Sequence, residues 1–101
     1  MSEVRLEILS WLKETLDIEG TGDSFSFGEE IEEDNTVRDL LNRLATEYPR
    51  FGEVVFDVKT QKLNEGVNIF LNGYLIELIK GLRTKLTDGD TLTLLPTIEG
   101  G

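Results

Sequence analysis

Thr36-Val37-Arg38-Asp39-Leu40-Leu41-Asn42-Arg43-Leu44-Ala45-Thr46-Glu47-Tyr48-Pro49 is the stretch on which the fold turns. Val37, Leu40, Leu41, Leu44, Ala45 and Tyr48 fall at i, i+3, i+4, i+7, i+8 and i+11, which is one apolar stripe along a helix. Thr36 is a good N-cap. Asp39, three residues on, occupies the position of the acidic member of a capping box, with Asp in place of the usual Glu. Pro49 ends the helix, because its ring cannot continue the hydrogen-bond ladder. A single amphipathic helix cannot bury its stripe alone, so it must lie across one face of another layer. The remaining sequence supplies that layer as strands.

Toward the N-terminus, Val4, Leu6 and Ile8 alternate with Glu3, Arg5 and Glu7, the period of a half-buried strand. Leu9, Trp11, Leu12 and Leu16 lead into a turn or short helix, and 18–23 has turn chemistry. Phe25, Phe27 and Ile31 alternate with polar residues and predict a second strand, in a hairpin with the first. Glu32-Glu33-Asp34-Asn35 is a polar break before the helix. Beyond Pro49, Val54, Val55, Phe56 and Val58 predict either a short strand or a loop covering the core. Residues 59–66 are polar and predict a mobile loop. Val67, Ile69 and Leu71 alternate again, Asn72-Gly73 is a strong hairpin signal, and Tyr74, Leu75 and Ile76 form the expected return strand. Leu78, Ile79 and Leu82 need burial nearby, core packing being the commoner reading and an exposed apolar patch the alternative. Asp88-Gly89-Asp90 is a turn, 91–95 a last strand with Leu92 and Leu94 on one face, and Pro96 its stop. The expected organisation is a domain over 1–96 and a free, extended tail over 97–101.

Composition narrows function by exclusion. The chain has 101 residues, enough for one modest core, with 39% hydrophobic and 30% charged residues. It contains no cysteine and no histidine. Disulfides, thiolate metal sites, a cysteine nucleophile and a Ser-His-Asp triad are therefore excluded. Twenty acidic residues against ten basic ones give a formal charge of -10, which disfavours nucleic acid and anionic membrane surfaces and favours a basic protein partner. No apolar run approaches the ~20 residues that span a bilayer, and Met1-Ser2-Glu3-Val4-Arg5 does not read as a secretory signal. A cytoplasmic location is the expectation.

The order strand, strand, helix, short strand, hairpin, strand is the β-grasp arrangement of ubiquitin, an α+β fold with a mixed sheet crossed by one main helix. By analogy with that fold, the first and last strands lie parallel at its centre. The stretch Leu86-Thr87-Asp88-Gly89-Asp90-Thr91-Leu92-Thr93-Leu94-Leu95-Pro96-Thr97-Ile98-Glu99-Gly100-Gly101 resembles the MoaD/ThiS family of sulfur carriers. There an Asp-Gly-Asp turn, an apolar strand and a proline precede a terminal Gly-Gly. The Asn72-Gly73 hairpin and the helix opening Thr36-Val37-Arg38-Asp39-Leu40-Leu41 are similar to MoaD as well. The likeness is weakest between Phe51 and Gly66, and Thr97 stands where many MoaD proteins have a second proline.

The resemblance implies a carrier protein rather than an enzyme, with no bound cofactor. Its reactive group would be the carboxylate of Gly101, next to Gly100, and Pro96, Thr97, Ile98 and Glu99 would meet the partner. An adenylating enzyme of the ubiquitin-activating type (MoeB/ThiF-like) would use ATP to activate Gly101. A sulfurtransferase would supply sulfur to form a thiocarboxylate. The implied acceptor system is molybdopterin synthase, with this chain as small subunit and the catalytic residues on the large subunit. Glycines suit such a tail because they have no side chain to obstruct a narrow channel. Five residues past Pro96 reach at most about 20 Å. Two other readings stay open: a ubiquitin-like modifier joined to lysines through the same tail, and a β-grasp binding module without covalent chemistry.

The remaining constellations carry less. Asp88 and Asp90 read as a tight turn rather than a cation site, since calcium-loop ligand spacing does not follow. Glu29, Glu30, Glu32, Glu33 and Asp34 read as a solvated loop rather than a docking patch. Gly20 and Gly22 are not a phosphate loop. Lys80 and Lys85 read as surface charges rather than partners for an acid.

Overall fold

The computed structural model describes residues 2–9 and 24–96. The expected turn or short helix around Trp11 to Leu16 and the turn at 18–23 lie outside them.

Strands β1 (Ser2–Leu9), β2 (Ser24–Ile31), β5 (Val67–Leu71), β6 (Tyr74–Leu75) and β7 (Thr91–Pro96) form one sheet in the order β2-β1-β7-β5-β6. β1 and β7 run parallel at its centre, with Leu6 opposite Leu92 and Ile8 opposite Leu94, and the other pairs are antiparallel. Helix α1 (Val37–Glu47) crosses one face. Val4, Leu6, Ile8, Ile69, Leu92 and Leu94 from the sheet meet Val37, Leu40, Leu41 and Leu44 from the helix, each at most 1% exposed. The period of two and the period of 3.6 thus converge on one core, as the β-grasp order requires.

α1 opens with the expected capping box. The Thr36 hydroxyl accepts from the Asp39 backbone N–H (3.2 Å), and the Asp39 carboxylate accepts from the Thr36 N–H (2.9 Å). Its last stripe position departs from expectation, since Tyr48 is the C-cap and 53% exposed. Pro49 does more than end α1. It opens a second short helix, α2 (Pro49–Val54), in whose first turn an N–H has no intrahelical partner to lose. α2 buries Phe51, and Val55 and Phe56 follow it fully into the core, while Val58 turns outward.

The mobile loop expected at 59–66 is instead folded back. β3 (Phe56–Asp57) pairs with β4 (Lys62–Leu63). The Gln61 and Asn42 side-chain amides exchange hydrogen bonds of 2.8 and 2.7 Å, tying the turn to α1. Composition could not reveal this, because the partner of Gln61 lies 19 residues away.

Asn72 and Gly73 have φ of 52° and 89°, as the two central residues of a type I′ turn require. The return strand is shorter than expected. It ends at Leu75, and Ile76 opens a 3₁₀ turn (Ile76–Leu78), followed by a second (Gly81–Arg83). The expectation that Leu78, Ile79 and Leu82 would be buried needs correction. Leu82 packs partly against the core, but Leu78 is 80% and Ile79 45% exposed. A single 3₁₀ turn cannot direct all its residues to one side, and Ile76 takes the core position.

Candidate functional site

The chain end is rooted in the middle of the sheet. Leu94 of β7 is paired on both sides, with Ile8 of β1 and Ile69 of β5. Beyond it only β5 continues, through Asn68 opposite Leu95 and Val67 opposite Pro96. The chain therefore leaves the sheet at the start of β5, the end opposite the Asn72-Gly73 tip. Pro96 does not stop β7 before pairing; it is the last paired residue. Proline is tolerated at such a strand end because no further ladder bond is asked of its nitrogen. Thr97, Ile98, Glu99, Gly100 and Gly101 lie outside the described residues, and so does the extended tail expected there.

The opposite end of β7 is fixed by the Asp-Gly-Asp turn. Asp88 Oδ1 accepts from the Glu3 N–H (2.8 Å), and Asp90 Oδ2 accepts from the Thr87 N–H (2.8 Å). Asp90 Oδ1 accepts from Asn72 Nδ2, and Asn72 Oδ1 accepts from the Thr91 N–H, each at 2.9 Å. Backbone bonds from Gly89 N–H to Glu3 O (2.9 Å) and from Arg5 N–H to Asp90 O (2.8 Å) set the register between β1 and β7. Both carboxylates are spent on the turn, as the sequence predicts. Among the described residues no group of acidic side chains is arranged to hold a metal ion.

The sheet face away from α1 carries Glu3, Arg5 and Glu7 from β1, Thr91, Thr93 and Leu95 from β7, and Asn68 and Phe70 from β5, because alternate residues point to opposite faces. Phe70 is opposite Thr93 on one side and Leu75 on the other, and Leu95 lies one pair further toward the tail. Phe70, Leu75 and Leu95 are each partly exposed. They form an apolar patch beside the tail's root. Sequence reasoning missed this patch. The available signal was apolar residues at the polar positions of alternating strands, namely Phe70 and Leu95.

A mixed sheet crossed by one helix, with the chain end issuing from its central parallel pair, defines a ubiquitin-like β-grasp protein. Residues 12–101 match the model of the ThiS family, and the chain belongs to that family. It is 32% identical over 68 residues to sulfur carrier protein CysO of Mycobacterium tuberculosis, covering 66% of this chain and 73% of that protein. It is also 32% identical over 72 residues to small archaeal modifier protein 3 of Haloferax volcanii, covering 70% and 75%. Among solved structures it is similar to small archaeal modifier protein 1 of Methanosarcina acetivorans, with a TM-score of 0.71 and 29% identity over 100% of this chain and 98% of that one. Among the described residues, no helix is long and apolar enough to cross a membrane.

Proposed function

We propose that this protein is a cytoplasmic sulfur carrier whose working group is the carboxylate of Gly101. A carboxylate oxygen attacks the α-phosphate of ATP on a partner adenylating enzyme of the MoeB/ThiF type, and pyrophosphate leaves. The outer sulfur of a sulfurtransferase persulfide then adds at the acyl carbon and AMP leaves. A thiol attacks the sulfurtransferase-side sulfur of the resulting acyl disulfide, forming a disulfide there and releasing the glycine as a thiocarboxylate. The observation that carries this reading is the family match that runs through Gly101, so that Gly100 and Gly101 lie within the matched region. The similarity to a named sulfur carrier supports it. The anchored root of β7 supports it as well, because a rigid base lets five residues enter a partner without reordering the domain. The Phe70, Leu75 and Leu95 patch is the surface on which the adenylating enzyme would sit. Delivery to the large subunit of molybdopterin synthase is the acceptor step we favour. The protein itself binds no cofactor in this scheme and is not an enzyme.

The test is ATP–pyrophosphate exchange with the cognate adenylating enzyme, followed by intact mass after adding a sulfur source. Full-length protein should support exchange and replace one oxygen by one sulfur. Protein lacking Gly101 should do neither while keeping its fold, and normal exchange by it would defeat the proposal. A second reading, a lysine-linked modifier, is favoured by the likeness to small archaeal modifier protein 3. Gly-Gly remnants on lysines of other proteins, without a detectable thiocarboxylate, would select it.

A further inference from the structure

The segment from Ile76 to Lys85 follows the return strand β6. It is pinned to the opening of α1, where the Val37 N–H donates to Thr84 O (2.9 Å) and the Leu86 N–H to Asn35 O (2.8 Å). This is the end of the molecule at which β7 begins, away from the tail's exit. On a chain of charge -10, this flank collects cations. Lys80, Arg83 and Lys85 line one shallow concavity together with Ile79, and Arg38 and Lys62 line a second across Leu82. Among the described residues, Lys80, Arg83, Arg38 and Lys62 form no ion pair, whereas Arg43 is held by Glu29. Lys85 meets Asp34 at 3.1 Å, but both side chains are more than two-thirds exposed, and such a pair holds its partners weakly. Ile79, 45% exposed, lines the first concavity with these charges, and Leu78, next to it in the chain, is 80% exposed.

We propose that residues 78–85 form a second docking surface, which takes a short acidic protein segment carrying an apolar side chain. Lys80 and Arg83 supply charge that no described residue neutralises, and Leu78 with Ile79 supplies apolar area that remains to be covered. The occupant is short because exposed Glu32, Glu33 and Asp34 stand beside the Lys80, Arg83 and Lys85 concavity, and Glu77 lines the one with Arg38 and Lys62. An extended polyanion, such as a duplex or an anionic bilayer, would bring its charge within a screening length of about 8 Å of those acids. The Thr84–Leu86 end of this segment is joined to the opening of α1, and this surface does not depend on the sulfur chemistry.

Amide chemical shifts of the isotope-labelled protein test the proposal against three probes. One is a peptide of six glutamates interrupted by two leucines, one is the same peptide with serine for leucine, and one is a thymidine oligonucleotide of equal charge. The leucine peptide should shift residues 76–86 saturably. The serine peptide should bind at least about fivefold more weakly, which corresponds to about 1 kcal/mol. The double variant Lys80→Glu, Arg83→Glu and, separately, Leu78→Ser should each lose the response while keeping a dispersed spectrum. Equal binding of the serine peptide or the oligonucleotide would overturn the proposal, as would shifts centred on the Phe70 and Leu95 face or no shifts at all.

Discussion

Thr36, Gly73 and Gly100 illustrate three different ways in which one residue matters here. Thr36 supplies the acceptor for an orphan N–H of the first helical turn and simultaneously presents its own N–H to Asp39. Thr36→Ala should lower unfolding stability by about 1 kcal/mol, read from a denaturant midpoint at unchanged slope. Gly73 sits at φ 89°, and no atom lies within 4 Å of the place a Cβ would take, so only backbone conformation opposes a side chain there. Gly73→Val should cost about 1–2 kcal/mol through that conformation, by the same measurement. Gly100 acts through access rather than stability. In the proposed scheme Gly100→Trp should leave the unfolding midpoint unchanged while pyrophosphate exchange falls to background.

At the scale of elements, the β3–β4 ribbon is anchored by Phe56 in the core and by one side-chain contact to α1. Gln61 spends its amide on Asn42 and on the Val58 carbonyl while its own backbone adopts φ 58°. Gln61→Ala should therefore speed hydrogen exchange at 57–63 by at least about tenfold, with little change at α1 or the central strands. If α1 loosened equally, the ribbon would be part of the helix's own support rather than a unit held by it. The helix itself is held by tertiary burial. Leu41, fully enclosed between α1 and the sheet, should cost about 2–5 kcal/mol on truncation to alanine, read as a fall in thermal midpoint.

At the scale of the whole molecule, the two faces of the sheet differ in what covers them. One face is closed by α1, and the other leaves Phe70, Leu75 and Leu95 partly exposed next to the root of the tail. Leu95→Asp should raise the KM of the adenylating enzyme for this protein by about tenfold or more, with a smaller change in kcat. In the proposed scheme the patch binds while the tail reacts. A variant with unchanged KM would show that docking is carried elsewhere.

Local chemistry in the sequence sufficed for α1 with its cap, for the alternating strands, for the Asn72-Gly73 turn and for the Asp-Gly-Asp turn. Each depends on residues within a few positions of one another, and each sets a backbone preference that the tertiary fold only had to accept. The Gly100-Gly101 pair lies within the region of the family match. Tertiary structure alone decided that Pro49 begins a helix as well as ending one, and that 59–66 is tied down by Asn42. It also decided that Leu78 and Ile79 face solvent and that Phe70, Leu75 and Leu95 come together beside the chain's exit. These outcomes depend on pairings between residues far apart in the chain, and on which of several apolar residues the limited core volume can admit. Neither quantity is written in any local run of sequence.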